Sequence, residues 1–205
     1  MGNLRSVEKT LDAIGGRPVI TGDPDAIRNA RRLILPGVGA FGDAMGNLRK
    51  NQLDAAIKES VDRGTPLLGL CLGLQLLFTQ SEEFGDHLGL DLIPGKVLKF
   101  RDPGLRVPHV GWNQIEGKRS NPLLESIPEG AYFYFVHSYY VEPERADDIL
   151  RWTDYGHHFC SIASSGNVWG AQFHPEKSQD VGKRLFRNFL QISPKEEEHK
   201  GKRAG

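Results

Sequence analysis

The chain has 205 residues, of which 39% are hydrophobic and 25% charged, enough for one ordinary domain with its own core. Its 26 Lys and Arg balance 26 Asp and Glu, so the formal charge is zero and no broad electrostatic pull on nucleic acid or anionic lipid is expected. The longest apolar run, Pro66 to Leu74, falls far short of the roughly twenty residues of a membrane span. Two cysteines, Cys71 and Cys160, are too few for a disulfide framework, and no secretory signal is legible. A reducing, cytoplasmic setting is the expectation.

In chain order, Leu4, Val7, Leu11 and Ile14 recur at helical spacing, with Asn3 as N-cap and Gly15-Gly16 as the stop. A short apolar run, Pro18–Thr21, precedes a helix start at Asp23-Pro24 and a buried strand at Leu33–Leu35 ending on Pro36-Gly37. A Gly-rich loop then leads to a helix over about Asp54–Asp62. Pro66–Leu70 reads as a second buried strand running into a helix from Cys71 to Phe78. Alternating buried strands and helices imply a parallel sheet covered on both faces. From Lys96 onward strand signals dominate: Val97–Phe100, Ala131–Val141, Ile149–Thr153, Phe159–Ala163 and Val168–Phe173, then a helix near Val181–Leu190. These read as mixed or antiparallel additions to the same sheet. One domain over 1–192 and a charged, solvated tail at 193–205 complete the expectation.

The strongest chemical signal is Gly69-Leu70-Cys71-Leu72-Gly73. A thiol at a strand-to-helix turn, with glycine at both second neighbours, is the cysteine counterpart of a nucleophile elbow. The blander reading of a free thiol is a buried packing residue, and that is the reading for Cys160. A thiol nucleophile needs a base, and the base needs an orienting partner. Gln172-Phe173-His174-Pro175-Glu176 offers both, because residues two apart on an extended segment share a face. Of the seven histidines, only this one combines a carboxylate at that spacing with a strand end beneath it. His157-His158 reads as a turn, and His87, His109 and His137 as hydrogen-bonded core or loop residues. Pro36-Gly37-Val38-Gly39 follows a strand at the same sheet edge, so backbone N–H groups of Gly37, Val38 and Gly39, with that of Leu72, are candidate oxyanion donors.

These pieces together resemble the class I (triad) glutamine amidotransferases. The segments M-G-N-L-R-S-V-E-K, P-G-V-G-A-F-G-D-A-M, G-L-C-L-G-L-Q, P-H-V-G-W-N, F-V-H-S-Y-Y and Q-F-H-P-E-K-S look in particular like the glutaminase subunits of imidazole glycerol phosphate synthase, over the chain up to about Ile192. The resemblance implies a flavodoxin-like α/β fold, with a mostly parallel central sheet flanked by helices and extra mixed strands in the second half. It implies that Cys71 attacks the glutamine carboxamide, His174 shuttles the proton and Glu176 orients His174. Gln75, one turn beyond the nucleophile, and the Ser138-Tyr139 backbone would hold the glutamine head group. No metal or cofactor is implied. The implied partner is a β/α-barrel cyclase that uses the ammonia to make imidazole glycerol phosphate and aminoimidazole carboxamide ribotide in histidine biosynthesis. Asn3, Trp112, Tyr134 and Lys177 match positions that face it. The resemblance also implies a strand of about seven residues ahead of Met1, whose loss would leave a parallel ladder unpaired. Two alternatives stay open: an amidotransferase subunit of another pathway, or a scaffold impaired by the absent first strand.

Overall fold

The structure, a computed structural model, describes residues 2–117 and 119–194, without the side chains of Gly2 and Asn3. The expected tail lies outside the described residues from position 195 onward. The elements are α1 (Gly2–Ala13), α2 (Pro24–Arg28), β1 (Leu33–Gly37), α3 (Phe41–Lys50), α4 (Leu53–Asp62), β2 (Leu67–Cys71), α5 (Leu72–Leu76), β3 (Phe78–Ser81) and β4 (His87–Leu88). They continue as β5 (Ile93–Lys99), β6 (His109–Gln114), β7 (Tyr132–His137), β8 (Tyr139–Pro143), β9 (Ile149–Asp154), β10 (His158–Ser165), β11 (Val168–Ala171) and α6 (Gln179–Gln191).

The main sheet runs β1-β2-β11-β10-β8-β5-β3-β4, with β9 also on β10. Its parallel block is β1, β2 and β11, and the rest is mixed. Strand alternation divides the interior in two. Leu68, Leu70, Trp169 and Ala171 enter one core with α1 and α6, while Leu67 and Val168 enter the other with α3, α4 and α5. A sheet buried on both faces in this way presents its strand ends, and so its chemistry, along one edge. Among the described residues no helix is long and apolar enough to cross a membrane.

β1 ends the sheet. Among the described residues it pairs with β2 alone, and all five of its residues are only half-buried. Its other edge opens on a groove of about 730 Å³ whose walls include Val7, Leu11, Val19, Ile34 and Leu190. Pro18–Thr21, the expected apolar run, stays irregular there, and Val19 is 82% exposed.

Several expectations are corrected. Helix α1 starts at Gly2, ahead of Asn3, so Asn3 is not its N-cap. Asp23 does cap α2, its side chain accepting the Asp25 N–H at 3.0 Å. The expected loop after Gly39 contains α3, because Phe41 and Met45 lie one turn apart and are fully buried, and that packing outweighs the helix-weakening Gly42 and Gly46. The helix beginning after Cys71 stops at Leu76, since Phe78 pairs with Ile93 and starts β3. The run Ala131–Val141 is two strands broken at Ser138. Its first half pairs only with β6, as a ribbon separate from the main sheet.

Candidate active site

Cys71 is the last residue of β2 and the residue before α5, with φ +53° and ψ −107°. An L-residue avoids that region unless its surroundings hold it there, and here two glycines do. A Cβ on Gly69 would lie 2.6 Å from the Gly73 carbonyl, and one on Gly73 would sit inside van der Waals contact of the Leu35 carbonyl. The tight turn therefore requires both. The thiol is partly exposed at the floor of a cleft of about 760 Å³. Around it Val136 O lies 3.9 Å from Sγ, and Gln172 Nε2 lies 3.8 Å away.

The base arrives from the far side of the parallel block. After β11 the chain makes a 3₁₀ turn, Pro175–Lys177, that is pinned to β7. His174 N–H donates to Tyr134 O at 2.9 Å, Ser178 Oγ donates to His174 O at 2.7 Å, and Tyr134 N–H donates to Ser178 Oγ at 3.0 Å. His174 Nδ1 is 2.8 Å from Glu176 Oε1, both side chains being almost wholly buried. A carboxylate only accepts, so Nδ1 carries a hydrogen and Nε2 is the nitrogen that can take up and return a proton. Burial disfavours a cation on His174, but hydrogen bonds to Cys71 and Glu176 and their charges together outweigh it and push the pKa up to about 9. Glu176 Oε2 has no hydrogen-bond partner among the described residues, so the carboxylate's compensation is concentrated on His174. Cys160, by contrast, is buried in the second core, and burial with the Asp148 charge drives its thiol far above the ordinary range.

The expected site residues meet in one place. Gly37, Val38, Gly39, Cys71, Leu72, Gln75, Ser138, Tyr139 and His174 all line the cleft, with Glu176 behind His174. Gly39 has φ +102°, a conformation that turns the 37–39 backbone at the cleft wall. Leu72 opens α5, so its N–H lacks an intrahelical acceptor. Gln75 Nε2 donates to Tyr139 O at 3.0 Å and to Gln172 Oε1 at 3.3 Å, which fixes the amide against the cleft wall. Gln172 and Val136 were not singled out from the sequence, although both stand inside quoted motifs. Glu83 and Lys99 on the cleft carry no sequence signal. Among the described residues no three His, Cys, Asp or Glu side chains gather as metal ligands do.

Trp112, Tyr134 and Lys177 also come together. Trp112 and Tyr134 are cross-strand partners in the β6–β7 ribbon with ring centroids 6.0 Å apart, and Lys177 Nζ lies 5.6 Å from the centre of the Tyr134 ring. Val110 and Tyr132, on the same ribbon face, are each more than half exposed. The side chain of Asn3 lies outside the described residues.

A strained thiol, a buried His–Glu pair and a glycine-turned loop at one edge of an α/β sheet are the parts of a triad amidotransferase. The family model described as "Glutamine amidotransferase class-I" matches residues 18–192. Solved structures share the fold: "Crystal structure of glutamine amidotransferase" at TM-score 0.69 and 20% identity, covering 92% of this chain and 93% of that one, and "Structure of PurLQS from Thermotoga maritima" at 0.71 and 19%, covering 91% of each. Curated relatives are much nearer. "Imidazole glycerol phosphate synthase subunit HisH" of Moorella thermoacetica is 51% identical, over 94% of this chain and 91% of the relative. The proteins of the same name from Syntrophotalea carbinolica and Aquifex aeolicus are 49% and 47% identical, over 92% and 95% of this chain and 95% and 94% of the relatives. The chain belongs to this family, the glutaminase subunits of imidazole glycerol phosphate synthase within the class I glutamine amidotransferases.

The His174–Glu176 contact carries a prediction. Glu176→Gln keeps the shape and removes the charge, so kcat for glutamine hydrolysis is expected to fall about 10²-fold or more. The alkaline limb of the pH profile should also move down, because the carboxylate is one of the groups holding His174 protonated. Stopped-time glutamate assays between pH 6 and 10 check both. An unmoved limb would mean that Glu176 does not set the His174 proton.

Proposed function

We propose that this chain hydrolyses L-glutamine through Cys71, His174 and Glu176, and that it hands the ammonia to a β/α-barrel cyclase subunit. The observation that carries the reading is a thiol on a strained elbow that shares one cleft with a histidine whose Nδ1 a buried carboxylate holds at 2.8 Å. His174 Nε2 takes the Cys71 thiol proton as Sγ attacks the side-chain carboxamide carbon, and the oxyanion forms beside Leu72 and Gly37–Gly39. His174 gives its Nε2 proton to the departing nitrogen, so ammonia leaves and a glutamyl thioester remains. Water, deprotonated by the same imidazole, then releases glutamate and restores the thiol. Gln75 and the Ser138-Tyr139 backbone hold the amino-acid head group. No cofactor takes part, and the setting is cytoplasmic.

The word subunit in the relatives' name supports a partner, and the exposed face of the β6–β7 ribbon supports a place for it. Trp112, Tyr134 and Lys177 form an aromatic and cationic cluster beside the cleft mouth, with Val110 and Tyr132 extending it. Aromatic anchors of this kind dominate interface energies. Trp112→Asp is expected to weaken assembly with the barrel cyclase about 10- to 100-fold in Kd while the isolated chain keeps its melting temperature. Co-expression, co-purification and titration calorimetry test it. Undiminished affinity for the cyclase would remove this face from the interface, and stable capture of a different synthetase would replace the proposed pathway.

A further inference from the structure

Two histidines outside the triad meet in the interior. His109 on β6 and His137 on β7 are direct cross-strand partners, both nearly inaccessible, and His109 Nδ1 lies 3.0 Å from His137 Nε2. Their neighbours fix the protons. His137 Nδ1 is 2.7 Å from the Tyr139 carbonyl, which only accepts, so that nitrogen carries a hydrogen. A neutral His137 then offers a lone pair at Nε2, and His109 must donate from Nδ1. The remaining His109 nitrogen, Nε2, faces Asn113 Nδ2 at 3.3 Å. The Asn113 amide is itself oriented, its Oδ1 accepting the Gln114 N–H at 2.8 Å and its Nδ2 donating to Asp154 O at 2.9 Å. The hydrogen bonds therefore run one way, from Asn113 through His109 and His137 to Tyr139.

A second proton on either ring would set N–H against N–H. Burial opposes it as well, pushing His109 down to about 4. His137 goes to about 3, chiefly by burial, with the Tyr139 hydrogen bond resisting and the charges of His109 and His174 adding. The His109 ring is held flat between Tyr155 and Phe135, with centroids at 4.0 and 4.9 Å. The relay ends in the cleft, because the Tyr139 carbonyl is the one that also accepts Gln75 Nε2, and Ser138 beside it lines the wall.

We infer that His109 and His137 are positioning residues, whose fixed Nδ1–H tautomers hold the 137–139 bend and, through the shared Tyr139 carbonyl, seat Gln75 to receive the amino-acid head of glutamine. The inference rests on the proposed glutaminase reading and adds two side chains that act through the Tyr139 carbonyl. In water an imidazole prefers the Nε2–H tautomer, so two buried Nδ1–H rings are a spectroscopic signature that mere packing does not demand.

Nitrogen-15 NMR of the full chain is expected to report both imidazoles as neutral Nδ1–H tautomers at pH 7. Kinetics of the full chain with its cyclase subunit supply the second readout. His137→Leu should raise KM for glutamine about tenfold, the worth of one lost hydrogen bond, while kcat changes by less than about threefold. His137→Asn, whose amide nitrogen replaces Nδ1 as donor to Tyr139, should recover most of the KM. An Nε2–H tautomer at either ring overturns the inference, as does an unchanged KM or an equal loss in kcat for His137→Leu. If the unsubstituted protein turns over no glutamine, the glutaminase reading fails, and the tautomers still report whether the relay exists.

Discussion

Cys71→Ala is expected to abolish glutamine hydrolysis, with a loss of about 10³-fold or more, while the cyclase reaction of the assembled enzyme continues when ammonium is supplied. The size follows from the chemistry, since no other side chain on the cleft can form the thioester: Cys160 is buried in the second core and its thiol is held far from ionisation. Alanine keeps the elbow intact because its Cβ occupies the position the cysteine Cβ already tolerates at φ +53°. The substitution therefore separates chemistry from fold, and melting temperature and cyclase affinity should stay close to those of the parent. A second consequence concerns His174. Burial lowers its pKa, and with the Cys71 contact gone only Glu176 opposes that, so the value should fall below about 9. A histidine whose folded pKa is raised contributes stability that is complete below its unfolded value near 6.5 and is lost as pH rises through the folded value. In Cys71→Ala that loss should set in at lower pH than in the parent, and melts across pH 6–10 will report it. Retained glutamate production by the alanine variant would sink the assignment of Cys71 as nucleophile.

The parts of this molecule that were legible in its sequence are those whose physics is local. Gly69-Leu70-Cys71-Leu72-Gly73 announces an elbow because the need for glycine at Gly69 arises from Gly73, four residues on, whereas the need at Gly73 comes from the Leu35 carbonyl on β1 and only the fold reveals it. His174 and Glu176 announce themselves because two residues of an extended chain share a side, and the 2.8 Å contact follows from that geometry. Helix α3 stayed hidden because Gly42 and Gly46 argue against it within the segment, and only burial of Phe41 and Met45 under the sheet decides for it. The break at Ser138 was equally invisible. The run from Ala131 to Val141 contains no Gly or Pro, and the bend is imposed by partners remote in sequence, such as the Phe100 N–H on the Ser138 carbonyl and the pairing of β7 with β6. The His109–His137 relay belongs to the same class, because it exists only once β6 and β7 lie side by side.

Gly73→Ala is expected to cost more than about 3 kcal/mol, lowering the melting temperature by roughly 10 °C, because it forces backbone against backbone. The new Cβ would fall inside contact of the Leu35 carbonyl, and Leu35 is paired across to Gly69 in the β1–β2 ladder, so neither atom is the free end of a flexible side chain. Something must shift, and β1 is half-buried and, among the described residues, paired on one side only, so it is the element that yields. Moving β1 drags Pro36–Gly39, the proposed oxyanion wall, away from Cys71. Activity per folded molecule should therefore fall along with stability, which distinguishes this site from an ordinary core defect. Gly46→Ala supplies the opposite sign. It lies in the exposed interior of α3 with nothing within 4 Å of the added Cβ, so alanine should raise stability by about 0.5–1 kcal/mol and leave turnover alone. Thermal melts and glutaminase assays on the two variants side by side make the comparison. A Gly73→Ala protein that melts and turns over like the parent would show that α5 does not press on β1 through this residue, and the account of the elbow would have to be rebuilt without it.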